Sequence, residues 1–144
     1  MRGLRANSFA AVVILLVEYG LGVWMSLYGQ LPASDHGTSL AAGFGRAVAG
    51  GPVGLSIHAV LGAVLVVSAA TALVRSILVR RVALIALTSA GLLSVVAAAL
   101  SGARFVGSGG NTSSMSMAVA AGTAIGAYAL VLFATAGVPA ASRS

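Results

Sequence analysis

Four stretches, residues 9–28, 53–74, 82–100 and 117–136, are uninterrupted by Arg or Lys and overwhelmingly apolar. Each is close to the ~20 residues that an α-helix needs to cross the hydrocarbon core of a bilayer. In lipid every backbone donor and acceptor must be satisfied within the segment, so runs of this length imply helices rather than strands. The expected fold is an all-α, four-helix membrane bundle of one domain spanning residues 1–144, with the lipid bilayer as its first partner.

Composition agrees. The chain is 59% hydrophobic and only 7% charged, with a mean hydropathy of +1.06, whereas soluble domains carry about 25% charged residues. It has no Cys, which removes disulfides, thiolate metal sites and cysteine nucleophiles. All eight basic residues are Arg and none is Lys, which together with the Ala, Gly and Val content suggests a bacterial gene of high GC content. The net charge of +6 would hint at nucleic acid on a soluble protein, but here the arginines sit at the ends of apolar runs and speak of topology instead. No nucleic-acid partner is expected.

The arginines orient the bundle. Arg2 and Arg5 precede the first run, Arg75, Arg80 and Arg81 separate the second from the third, and Arg143 follows the fourth. Arg46 and Arg104 alone fall on the other side. The positive-inside rule then puts both termini in the cytoplasm (N-in, C-in) of a bacterial cytoplasmic membrane, with Trp24 and Tyr28 as interfacial anchors near the outer surface. The first run is too long for a signal-peptide core and carries Glu18, so cleavage near Leu31-Pro-Ala-Ser34 is not expected.

Between the runs, residues 75–81 read as a short inner connection that makes the second and third spans an antiparallel hairpin. In the first outer loop Leu40, Phe44 and Val48 fall on one stripe of a short amphipathic helix, which Ser39 could cap. That helix would lie along the outer interface with Arg46 toward water; a loose Gly-rich loop is the other reading. Residues 101–114 are rich in Gly and Ser and are expected to be flexible. Ala86, Ala90, Ser94 and Ala98 recur every four residues, as do Ala118, Gly122 and Gly126. Such rows let helices approach closely, and packing within the bundle is favoured over a face between chains.

The polar residues carry what functional signal exists. Glu18 lies deep in the first run, where an ionised carboxylate costs at least ~2.5 kcal/mol on insertion scales. It must face protein and find a partner, or hold a proton. Gly22 follows at i+4. His58 opens the second span with Gly62 at i+4, and from its position Glu18 should lie about 9 Å deeper than His58, so contact would need side-chain reach or a bridging water. Met115 and Met117 at the head of the last span, Asp35 and His36 in the first outer loop, and Arg104 in the second all converge on the outer half. Four readings fit this cluster. The leading one is a non-catalytic accessory or assembly subunit of a larger membrane complex or homo-oligomer, with Glu18 and His58 as buried structural polar groups. The alternatives are a b-type haem held by His58 and by Met115, Met117 or His36, a proton or cation path through Glu18, and a metal site drawn from His36, Asp35, His58 and Glu18, whose spacing matches no standard motif.

The segment His58-Ala-Val-Leu-Gly62, a His-x-x-Leu-Gly at the start of a membrane helix, resembles segments of small bacterial four-helix haem-binding membrane proteins of the cytochrome b561-like and haem A synthase-like type. The resemblance covers that one segment and implies His58 as an axial ligand, with Met115 or Met117 in the place of the paired histidine. No catalytic residues are expected. There is no usable Ser/His/Asp set, and Gly43–Gly51 lacks the strand and the Lys-Ser/Thr ending of a phosphate-binding loop.

Overall fold

The computed structural model describes residues 1–28, 39–50, 52–108 and 111–136. Its elements are α1 (Arg2–Tyr28), α2 (Leu40–Gly50), α3 (Val53–Val79), α4 (Val82–Ser108) and α5 (Asn111–Ala136), with no strand among the described residues. Four of them, all but α2, are long and apolar enough to cross a membrane.

Helix α1 packs on α3 and α5, and α4 closes the ring by packing on the same two, so α1 faces α4 and α3 faces α5 across the bundle. The short α2 lies on α3 and α4 at one end, its first turn met by the Ser39 hydroxyl, which accepts from the Ala42 N–H at 3.4 Å. Arg2, Arg5, Arg75, Arg80 and Arg81 gather at the opposite end. There α3 stops at Arg80, which adopts a left-handed φ of 56° and donates its N–H to the Ser76 and Ile77 carbonyls. The turn is tighter than residues 75–81 suggested, because α3 runs on through Arg75 to Val79. All four long helices exceed the expected spans. Residues 101–108 and 111–114 are helical rather than loose, since isolated Gly and Ser are carried by helices that have neighbours to pack against.

One seam on each long helix turns inward. On α1 it is Leu4, Ser8, Ala11, Leu15, Glu18, Gly22 and Met25, all buried. The corresponding seams run through Leu55, Leu65, Ala69, Ala72 and Ser76 on α3, Leu84, Thr88, Gly91 and Val95 on α4, and Ala121, Ala124, Tyr128, Val131 and Thr135 on α5. Steps of three and four alternate, which averages 3.5 residues and keeps a stripe facing its partner along a long helix. The row of fours on α4 does not. Each step of four overshoots a turn by about 40° at 3.6 residues per turn, so Ala86 and Ala90 are exposed, Ser94 and Ala98 are half-buried, and of the four Ala98 lines the interior cavity. The Gly122–Gly126 pair likewise faces away: both glycines are exposed, and a Cβ on either would meet nothing within 4 Å. Most of these small residues therefore do not pack within the bundle, which corrects the expectation that their rows serve its internal packing.

Near the arginine end the seams are filled and stitched. Asn7 Nδ2 donates to the Ser68 carbonyl at 2.8 Å, Arg75 Nη1 donates to the Gly3 carbonyl at 2.5 Å, and the buried Ser76 and Thr88 hydroxyls pair at 2.7 Å. The fully buried Tyr128 fills the middle of the bundle. Exposed hydroxyls such as Thr123 donate to their own helix, here to the Val119 carbonyl, which lets a polar side chain sit on an apolar face.

Candidate functional site

Toward the α2 end the same seams carry small residues. Gly22 on α1, Gly62 on α3, Ala98 and Gly102 on α4, and Ala118 and Ala121 on α5 leave a cavity of about 400 Å³ between the four helices. Leu15, Leu65 and Val95 line it from the packed half, and Phe44 of α2 borders it as well. Tyr19 and Val23 also line it although both are exposed on the flank of α1, so it opens sideways between helices. The cavity thus exists because a layer that bulky side chains would fill holds Gly and Ala.

Glu18 and His58 sit in its wall. Glu18 is 8% exposed, and its Oε2 lies 2.5 Å from His58 Nδ1. The contact is close but not collinear, and neither Nδ1 nor the second carboxylate oxygen, Oε1, has an aligned hydrogen bond. Nδ1 and Oε1 are both buried, while the imidazole keeps 24% of its side-chain surface accessible. The pair meets directly because the helices are offset less than their lengths imply. Met25 packs with Leu55 and Gly22 faces the His58 ring, so the antiparallel register sets Glu18 only one turn, about 6 Å, beyond the level of His58. Glutamate spans that step. Gly54 lets α1 come this near, since a Cβ there would lie 3.0 Å from the Trp24 ring.

Met117 crosses the same layer. A Cβ built on Gly102 would lie 3.2 Å from its Sδ, and one on Gly22 would lie 3.5 Å from its Cε and 3.9 Å from His58 Cε1. Met117 of α5 and His58 of α3 therefore come from facing helices, with a glycine of α1 and of α4 at the other two corners. Met115 is 71% exposed and does not line the cavity, nor does Arg104. Asp35 and His36 lie outside the described residues. Among the described residues no three His, Asp or Glu side chains converge on one point.

Beyond Leu15 the α1 seam next offers a polar side chain at Ser8, ten residues or about 15 Å from Glu18, with the core of Leu65, Val95 and Tyr128 between. The polar site is confined to one half of the bundle. Sequence reasoning named Glu18, His58 and Met117 but could not find the rest of the wall, because Ala98, Gly102 and Ala121 are unremarkable in so Ala- and Gly-rich a chain. Their common 3.5-residue phase with the buried seam was the available signal. No family model matches this chain, and no curated protein or solved structure matches it.

Proposed function

We propose that this is a multi-pass protein of a bacterial cytoplasmic membrane, with both termini in the cytoplasm, that acts without catalysis as a binding or accessory subunit and holds a lipid-soluble molecule in the cavity. The orientation rests on the arginine bias. The binding role rests on one observation: a mostly apolar, side-opening cavity with Glu18 and His58 in its wall, beside which the carboxylate oxygen Glu18 Oε1 is buried without an aligned partner. A buried polar atom is costly unless satisfied, and an apolar pocket with few convergent polar groups is the usual form of a small-molecule site. In a bilayer the sideways opening faces acyl chains, the phase from which such a ligand would come.

The test is organic extraction and mass spectrometry of the protein purified in mild detergent, beside a Gly62→Leu variant whose new side chain enters the cavity. A lipid-soluble compound near one per chain in the wild type, and depleted in the variant, supports the reading. Equal recovery from both overturns it.

A second reading has its own observation. His58 presents Nδ1 to a carboxylate, the arrangement that commonly orients a metal-bound imidazole, and Met117 comes from the facing helix. The residues fit a b-type haem in kind, with His58 and Met117 as its holders, and haem would supply one-electron transfer. Met117 itself occupies the layer between Gly102 and Gly22, so its side chain would have to move before such a group could be held there. For that reason the apolar ligand comes first. A Soret band in the purified protein would reverse the order.

A further inference from the structure

The arginine end of the bundle carries a charge that the chain does not balance. Arg2, Arg5, Arg75, Arg80 and Arg81 are all exposed there. Among the described residues the single acid is Glu18, thirteen residues or about 20 Å along α1 from Arg5. We propose that Arg2 and Arg75 hold the phosphate of an anionic phospholipid on the lipid-facing side of the seam between α1 and α3, with its acyl chains along the exposed apolar side chains of that seam.

Topology alone does not explain Arg75. Arg80 and Arg81 already charge the turn between α3 and α4, whereas Arg75 lies inside α3, one turn before its end. Its guanidinium is held in place: Nη1 donates to the Gly3 carbonyl of α1 at 2.5 Å, and a Cβ on Gly3 would lie 3.3 Å from the same nitrogen. One carbonyl engages one of the five N–H groups of a guanidinium. The others remain for an anion, and Arg2 is the residue next to Gly3. Phosphate is an acceptor that the guanidinium fork matches, through paired charge-assisted bonds. A basic pocket between membrane helices at the level of the head groups is a usual seat for an anionic lipid.

What favours a phospholipid over a free anion or an acidic protein is the surface beside these arginines. On α1, Phe9 and Val13 follow Arg2 by seven and eleven residues; on the antiparallel α3, Val64 precedes Arg75 by eleven. Seven and eleven residues fall within about 20° of two and three full turns, so each arginine heads a stripe that runs toward the middle of the membrane. All three apolar side chains are exposed. The two helices touch at this level, where Asn7 Nδ2 donates to the Ser68 carbonyl. Positive charge at the head of the stripes and apolar surface along them match the two parts of a phospholipid. An aqueous anion or an acidic protein would leave the stripes unused.

The proposal rests on neither the cavity nor the orientation of the termini, and its test needs neither, because a detergent micelle leaves both ends of the bundle open. The full chain, freed of lipid in a non-ionic detergent, is titrated with phosphatidylglycerol, with phosphatidylcholine of the same chains and with inorganic phosphate. Native mass spectrometry gives the three affinities. Phosphatidylglycerol should bind at least about fivefold more tightly than phosphatidylcholine, whose choline offsets its phosphate; that is the factor one arginine near an anionic surface supplies. It should also bind more tightly than inorganic phosphate, which has no chains. Arg75→Gln should bring the ratio of the two lipids close to one. Arg81→Gln, which removes the same charge from the turn, should change the ratio by less than about twofold. Should Arg75→Gln fail to fold, Arg2→Gln takes its place with the same expectation. Equal affinities for the two lipids in the wild type would overturn the proposal. Equal losses from Arg75→Gln and Arg81→Gln would overturn it too, since they would mean diffuse charge rather than a site. Inorganic phosphate bound as tightly as phosphatidylglycerol would replace the lipid with a free anion.

Discussion

The Tyr128 ring lies against the backbone of Gly91, so close that a Cβ on Gly91 would fall 2.7 Å from Tyr128 Cζ. The tyrosine is fully buried, and its hydroxyl has no hydrogen-bond partner. This contact joins α4 to α5 near the middle of the bundle and sets how closely they pack. Gly91→Ala should therefore destabilise the protein by about 1–3 kcal/mol, the range for overpacking a filled core. Tyr128→Phe, which removes an unsatisfied hydroxyl and keeps the ring, should leave stability unchanged or raise it. Unfolding in mixed micelles, followed by far-UV circular dichroism, measures both. A stable Gly91→Ala protein would mean that the two helices do not approach this closely.

Ser76 and Thr88 pair across α3 and α4, yet each hydroxyl also has its own helix to turn to, through the carbonyls of Leu73 and Leu84. The double-mutant cycle of Ser76→Ala and Thr88→Val should give a coupling of only about 0.6 kcal/mol, the average for such bonds between membrane helices. A coupling of several kcal/mol would show that the helix carbonyls do not compensate.

Leu15 and Leu16 are neighbours in sequence and opposites in environment: Leu15 is 2% exposed and Leu16 is 55% exposed. Leu15→Ala should cost about 2–4 kcal/mol, because it empties a packed position below the cavity. Leu16→Ala should cost under about 1 kcal/mol, since an exposed apolar side chain in lipid trades one apolar contact for another. Similar losses from both would contradict the inward seam of α1.

The absence of Cys makes the proposed topology directly measurable. With single cysteines at Ala41 on α2 and Val82 at the start of α4, both exposed, a membrane-impermeant maleimide should label Ala41→Cys in intact cells. It should reach Val82→Cys only after permeabilisation. The reverse pattern would invert the arginine argument.

Much of the architecture was legible before any coordinates. Long apolar runs between arginines mark the helices, since lipid accepts no other spanning backbone, whereas the segment after Ser39 reads equally as a short helix or a loose loop. A lone carboxylate and a histidine, each four residues before a glycine, mark the site. What stayed hidden was direction. In a water-soluble bundle the apolar face is the inner face, but here Phe133 and Leu78 are as apolar as anything buried and both point outward, so hydropathy carries no phase.

The sequence by itself therefore determined that there are four long apolar helices and which end of them holds most of the arginines, because these follow from length, charge and the backbone's need for internal hydrogen bonds, whereas where the helices end did not follow from it. Only the tertiary structure decided which stripe of each helix turns inward: that Gly91 rather than Ala90 meets a neighbour, that Gly122 and Gly126 face away, and that Glu18 touches His58. Those outcomes depend on shape and register between helices, and small side chains record shape only once the partner that fills or leaves the space beside them is known.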